Sequence, residues 1–164
     1  MRSNRPVIRL AREEDLPGIA ALAGEALRSK ELYPKPAEFE AAAKGESKGI
    51  LLFTAHQGGR VVGSCSVNLS GEEPQVGHVF TTAQLRGKGI ATRLYLHAFR
   101  HVFEKLKRKS IVLNINIADL ERRQKARERF KALGADIVGG EFGHIRYTKE
   151  QYEKWRLEMS GRQW

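Results

Sequence analysis

A single cysteine, Cys65, in 164 residues leaves the chain no way to close a disulfide within itself. The same scarcity removes every two-cysteine metal or redox motif. No stretch reaches the roughly 18 consecutive apolar residues that a membrane-spanning helix needs. No apolar run follows Met1-Arg2-Ser3-Asn4-Arg5-Pro6 either, so no secretory leader or membrane association is expected and the expected location is the cytoplasm. Internal repeats and low-complexity stretches are missing, as is any constellation of His, Cys, Asp and Glu at metal-ligand spacing. Two phosphate-binding patterns are lacking as well: no G-x-x-x-x-G-K-[ST] and no G-x-G-x-x-G occurs.

What is present suits one folded domain. Hydrophobic residues make up 41% of the chain, enough for one core, and 29% are charged. The reading is a domain over residues 1–148 with a C-terminal helical extension over 149–164. The net charge of +10 is unevenly placed. Gln84 to Lys131 carries 14 Lys/Arg against 4 Asp/Glu, and the remainder balances. One contiguous segment therefore holds the whole excess, which points to an anionic partner: cofactor phosphates, nucleic acid or an acidic membrane surface. A solvated basic helix face is the plainer alternative.

The hydrophobic pattern alternates between the two regular periods. Pro6 to Ala11 reads as a short strand. A helical stripe follows at Leu16, Ile19, Ala20, Ala23 and Leu27, with Glu13-Glu14-Asp15 expected in its first turn. A second short helix runs from Ala37 to Lys44. Ile50–Ala55 and Val61–Val67 read as strands joined by Gln57-Gly58-Gly59-Arg60, which has hairpin chemistry. Val76–Thr81 is a fourth strand, so three strands form an antiparallel meander. Ile90, Leu94, Ala98, Val102 and Leu106 mark a long helix. Ile111–Ile117 is the clearest strand, with Asp119 placed to cap the next helix, whose thin apolar face is Ala126, Phe130 and Leu133 and which Gly134 stops. A closing hairpin spans Ile137-Val138 and His144–Tyr147. The capping-box pattern Thr148-Lys149-Glu150-Gln151 then opens a last helix bearing Tyr152, Trp155 and Met159. That helix has two possible docks, its own domain or a second copy in a homodimer. The order predicts an α/β fold: a mixed, largely antiparallel sheet with helices on both faces, and a parallel pair formed by strands four and five.

Between strand four and the long helix lies Gln84-Leu85-Arg86-Gly87-Lys88-Gly89-Ile90-Ala91. A helix N-terminus exposes unpaired N–H groups and a partial positive charge, both suited to a phosphate. Gly87 and Gly89 let the backbone approach an anion closely, and Arg86 and Lys88 add charge.

At this loop the sequence resembles the GCN5-related N-acetyltransferases. Their coenzyme A signature Q/R-x-x-G-x-G/A matches Gln84-Leu85-Arg86-Gly87-Lys88-Gly89 at every specified position, and the element order agrees from Pro6 to Thr148. The resemblance implies a sheet splayed between strands four and five, with the pantetheine arm of acetyl-CoA in the opening. Backbone groups of Phe80, Thr81 and Thr82 would pair with that arm, and the N–H groups from Arg86 to Ala91 would take the pyrophosphate. It further implies direct attack by an amine on the thioester in a ternary complex, the amine belonging to a small molecule or a peptide.

Such chemistry needs a base, an oxyanion donor and an acid. Relatives often carry a carboxylate on strand four; here His78 stands at that place, with Glu73 at the strand entrance as second candidate. The oxyanion donor implied is the backbone N–H near Phe80 or Thr81. Relatives often read Tyr-x-x-x-Gly where this chain has Phe130-Lys131-Ala132-Leu133-Gly134, so the acid must come from elsewhere, with Tyr147 and Tyr95 as substitutes, or the chain is a weak catalyst that binds acyl-CoA. Asn114 and Asn116 share one face of strand five and are candidates for binding cofactor or substrate, Asn116 foremost. Glu38, Glu40 and Glu46 are candidates for an acidic acceptor pocket. A rival class is a basic nucleic-acid-binding module, resting on Lys105-Leu106-Lys107-Arg108-Lys109 and the cations of the following helix.

Overall fold

The alternating segments form seven strands of one sheet: β1 (Val7–Leu10), β2 (Ile50–Gln57), β3 (Arg60–Asn68), β4 (Gln75–Thr81), β5 (Ser110–Asn114), β6 (Asp136–Ile137) and β7 (His144–Thr148). The computed structural model describes residues 5–27, 36–114, 120–138 and 144–161. Strand order is β1-β2-β3-β4-β5-β7-β6, and every neighbouring pair is antiparallel except β4 and β5. The helices are α1 (Leu16–Leu27), α2 (Pro36–Ala43), α3 (Ile90–Arg100), α4 (Leu120–Ala132) and α5 (Lys149–Ser160).

Local chemistry explains most joints. Gly58 and Gly59 both take positive φ in the two-residue turn between β2 and β3, and Gln57 pairs Arg60 across it. Gly134 takes φ +90° after α4, where the amide of Ala135 reaches back to the carbonyl of Phe130. Thr148 and Gln151 exchange both bonds of the capping box that starts α5.

The sheet separates two cores. On one face α3, α4 and α5 pack against Cys65, Val67, Val76, Ile111, Leu113, Ile145 and Tyr147. Trp155 of α5 stacks on Tyr147 at 5.2 Å and meets Phe99 of α3 edge-on at 5.5 Å, so the last helix docks on its own chain. On the other face Ile19 of α1 and Phe39 and Ala43 of α2 bury Leu52. Gly63 sets how closely α3 approaches: a Cβ there would stand 2.9 Å from Ile90 Cγ2 and 3.0 Å from Leu94 Cδ1. A bare Cα on β3 thus lets the start of α3 press against the sheet.

Two expectations are corrected. Glu13-Glu14-Asp15 form a separate 3-10 turn rather than the first turn of α1. Asp15 turns inward, taking two bonds from Arg9 (2.7 and 3.0 Å) and one from the amide of Arg12 (2.8 Å), so it brackets β1 to the helix. The long helix also stops short of Leu106: α3 ends at Arg100 and a π turn, His101–Lys105, finishes it. Asp119 and the residues 115–117 expected to continue β5 lie outside the described residues.

Candidate active site

Among the described residues β4 and β5 pair through Gln75 with Val112 and Val76 with Leu113 only, although β4 continues to Thr81. Among the described residues no pairing of the two strands follows at Gly77 or beyond, as in a splayed sheet, and backbone polar groups along such a gap need a partner. A bulge helps open it. Ser66 faces Gly77 and Ser64 faces Phe80, so His78 and Val79 oppose the single residue Cys65. His78 accommodates the extra residue with φ +52°. The amide of Thr82 donates to Val62 on β3 at 3.0 Å. Strand alternation then turns the amide of Thr81 the other way, into the gap.

The gap runs into the glycine loop. Ala83–Leu85 form a 3-10 turn, after which Lys88 N–H donates to the carbonyl of Leu85 at 3.3 Å. Arg86 (φ −62°, ψ 143°) and Gly87 (φ +77°) are the centre of that turn, the type II arrangement that favours glycine second. Gly89 (φ +78°, ψ 7°) is the N-cap of α3 and has no side chain to satisfy the helix. Among the described residues, the amides of Gly87, Gly89, Ile90 and Ala91 have no hydrogen-bond partner. Gln84, Arg86, Gly87 and Lys88 are exposed, and a Cβ on Gly87 would meet nothing within 4 Å. The loop is therefore an open cradle of N–H groups at the positive end of a helix, the setting that suits a diphosphate. At the mouth of the gap the Thr82 hydroxyl is buried without a partner. These groups fit coenzyme A: amides at the loop for its pyrophosphate, the splayed edge of β4 for its amide-rich arm.

His78 lies where the gap begins, on the face of the sheet that carries α2. Its ring meets Phe39 edge-on at 6.1 Å, and its Nδ1 stands 3.2 Å from the Ser66 hydroxyl. That hydroxyl donates its one hydrogen to the carbonyl of Gly77 at 3.1 Å. With its hydrogen on Nδ1 the ring donates to that hydroxyl oxygen, and the lone pair then sits on Nε2. Ser66 carries no motif and was invisible in the sequence; only the bulge brings it to His78.

The same face carries a cavity of about 240 Å³ lined by Glu72, Glu73, Gln75, Val112, Val138, His144 and Arg146. Glu73 is committed within it. Arg146 grips both carboxylate oxygens, through Nε at 2.7 Å to Oε2 and Nη2 to Oε1, and Ser110 donates to Oε2 at 2.7 Å. The Arg146 hydrogen bonds, then that of Ser110, hold the carboxyl below the usual carboxylate range. Such a group accepts a proton reluctantly and serves better as a clamp tying the start of β4 to β5 and β7. Stability from a carboxyl depressed on folding is complete above the unfolded pKa, near 4.3, and is lost as pH falls through the folded value. Glu73→Gln should thus lower stability by about 1 kcal/mol at neutral pH, exposure discounted. Melting curves of parent and variant should converge below about pH 4.

Of the two tyrosines, Tyr147 is buried and donates its hydroxyl to the carbonyl of Phe130 at 3.3 Å. Burial raises its pKa, so its proton is doubly held. Tyr95 on α3 meets Phe130 edge-on at 5.5 Å, and burial raises its pKa as well. Cys65 is fully buried and burial pushes its thiol up to about 12, which leaves it inert. Asn116 lies outside the described residues, and Asn114 ends β5. Glu40 pairs with Lys44 at 2.8 Å, and Glu38 and Glu46 are exposed; none of the three lines the cavity. Among the described residues no group of three or more His, Cys, Asp or Glu is placed to hold a metal, and no helix is long and apolar enough to cross a membrane.

Residues 14–134 match the model of the acetyltransferase (GNAT) family. No curated protein sequence matches the chain. Solved structures share the fold. A nucleotide-linked sugar GNAT in its apo form superposes with a TM-score of 0.73 at 14% identity, over 96% of this chain and 94% of that one. A spermidine N-acetyltransferase from Vibrio cholerae gives 0.69 at 16% identity, over 90% and 96%. The PaiA N-acetyltransferase from Thermoplasma acidophilum, in complex with coenzyme A, gives 0.63 at 14% identity, over 87% and 98%.

Proposed function

The chain belongs to the GNAT acetyltransferase family, and from that premise we propose that it transfers an acetyl group from acetyl-CoA to an amine by direct attack in a ternary complex. The observation that carries this reading is the gap between β4 and β5 opening onto the unpaired amides of Gly87, Gly89, Ile90 and Ala91. Those amides would hold the pyrophosphate, with Arg86 and Lys88 screening its charge. Acetyl-CoA supplies the activated acyl carbon as a thioester.

His78 takes the proton of the attacking amine at Nε2, directly or through one water, since an alkylamine is mostly protonated near neutral pH. Ser66 holds the ring in the tautomer that leaves that nitrogen basic. The amide of Thr81, aimed into the gap, meets the negative charge that develops on the acyl oxygen. Tyr95, beside the phenyl ring of Phe130, is the better placed of the two tyrosines to give a proton to the departing sulfur. The cavity bordered by Glu72 and His144 receives the acceptor from the face opposite α3. Arg146 and Ser110 keep Glu73 in place as a positioning group.

Two similar structures are described as a spermidine N-acetyltransferase and a nucleotide-linked sugar GNAT. A test panel should therefore hold polyamines, amino sugars and peptides with free amines. With acetyl-CoA and the panel, mass spectrometry should find an N-acetylated product together with released coenzyme A. Tight acetyl-CoA binding with no product from any amine class would reduce the protein to an acyl-CoA binder.

A further inference from the structure

A second charged feature lies at the opposite end of α3 from the glycine loop. Beyond the π turn, Leu106 to Lys109 lead into β5 and run beside the junction of β7 and α5. Together they line a cavity of about 360 Å³ formed by Phe103, Lys107, Arg108, Lys109, Thr148, Lys149 and Glu150. A helical rise of about 1.5 Å per residue puts it roughly 25 Å from the loop.

Its charge is uncompensated. Lys107, Arg108, Lys109 and Lys149 are exposed, and among the described residues none has an ion pair. Glu150 is the one carboxylate on the rim. Three surface cations elsewhere are paired: Lys125 with Glu121 at 2.9 Å, Arg100 with Glu104 at 3.1 Å and Lys44 with Glu40 at 2.8 Å. Four like charges around one concavity repel each other, and an anion relieves that repulsion. Lys107 also holds φ +53°, in the left-handed region that favours glycine. Thr148 and Gln151 use their own amides in the capping box, leaving those of Lys149 and Glu150 turned to the same end.

We propose that this pocket docks the phosphate backbone of a nucleic acid, leaving the acetyl-transfer cleft free at the other end. The site is open and shallow, with its cations spread over two chain segments, which fits a run of phosphates better than one enclosed anion. Among the described residues the one aromatic ring lining it, Phe103, is buried in the core and cannot stack on bases, so binding follows charge rather than sequence.

Fluorescence anisotropy with a labelled mixed-sequence single-stranded oligonucleotide tests this. The parent should bind with a log–log salt slope of about −3, four phosphate contacts at about −0.7 each. Combining Arg108→Glu, Lys109→Glu and Lys149→Glu should weaken binding at least about tenfold and flatten the slope. All three residues are exposed, and the variant should keep the parent's rise in melting temperature with acetyl-CoA, which verifies its fold and its cofactor cleft. Acetyl-CoA should not displace the oligonucleotide. Unchanged binding by the variant, or full displacement by acetyl-CoA, overturns the proposal. Binding of inorganic phosphate without the oligonucleotide overturns it too, by making the pocket a site for a small free anion.

Discussion

Gly87→Glu is expected to weaken acetyl-CoA binding by at least about a hundredfold, close to 2.8 kcal/mol. Two effects add. Gly87 sits at φ +77°, so any side chain costs about 1–2 kcal/mol of backbone strain. The larger effect is charge: a carboxylate roughly 5 Å from a phosphate, at an effective dielectric of about 20, is repelled by about 3 kcal/mol per unit charge. Space is not the cause, since a Cβ at this position would meet nothing within 4 Å. Gly87→Ala therefore separates the two effects, with the strain but not the charge, and should cost no more than about thirtyfold in affinity. Calorimetry on both variants, with melting temperatures close to the parent's, decides the matter. Equal losses for Ala and Glu would mean that the turn's shape, and not its field, binds the cofactor.

The second large effect is expected at His78. His78→Asn should lower kcat by about a hundredfold or more, the usual contribution of a positioned general base. Asparagine is the informative replacement because it tolerates the left-handed backbone that the bulge requires of this residue at φ +52°. The fold and the affinity for acetyl-CoA should then persist while proton transfer is lost. An unchanged kcat would move the base away from His78 to the wall of the neighbouring cavity, which His144 lines.

The features legible in the sequence were those with a local physical cause. The paired glycines at 58 and 59 demand a tight turn, Thr148 and Gln151 cap a helix across three residues, and the stripe from Ile90 to Ala98 buries one helix face. The same is true of the cradle, because a strand, two glycines and a helix start are contiguous. What escaped was set by tertiary contact. Gly77-His78-Val79-Phe80 reads as an ordinary alternating strand, yet the register with β3 inserts a bulge there and delivers His78 to Ser66. Glu73 looks like a turn carboxylate until β7 brings Arg146 onto it from far along the chain. Asp15 looks like a first-turn acid, but Arg9 of β1 draws it inward. Phe130 revealed a missing hydroxyl by its position before Gly134, whereas its neighbour Tyr95 comes from another helix and leaves no trace in the motif.

The central claim is that main-chain amides at the start of α3 hold the cofactor's diphosphate. Its most direct test is a titration of isotopically labelled protein with coenzyme A, followed amide by amide in proton–nitrogen correlation spectra. The resonances of Gly87, Gly89, Ile90 and Ala91 should shift first and furthest, while those of Lys107 to Lys109 stay in place. Saturable binding that leaves the four loop amides unmoved would contradict the account.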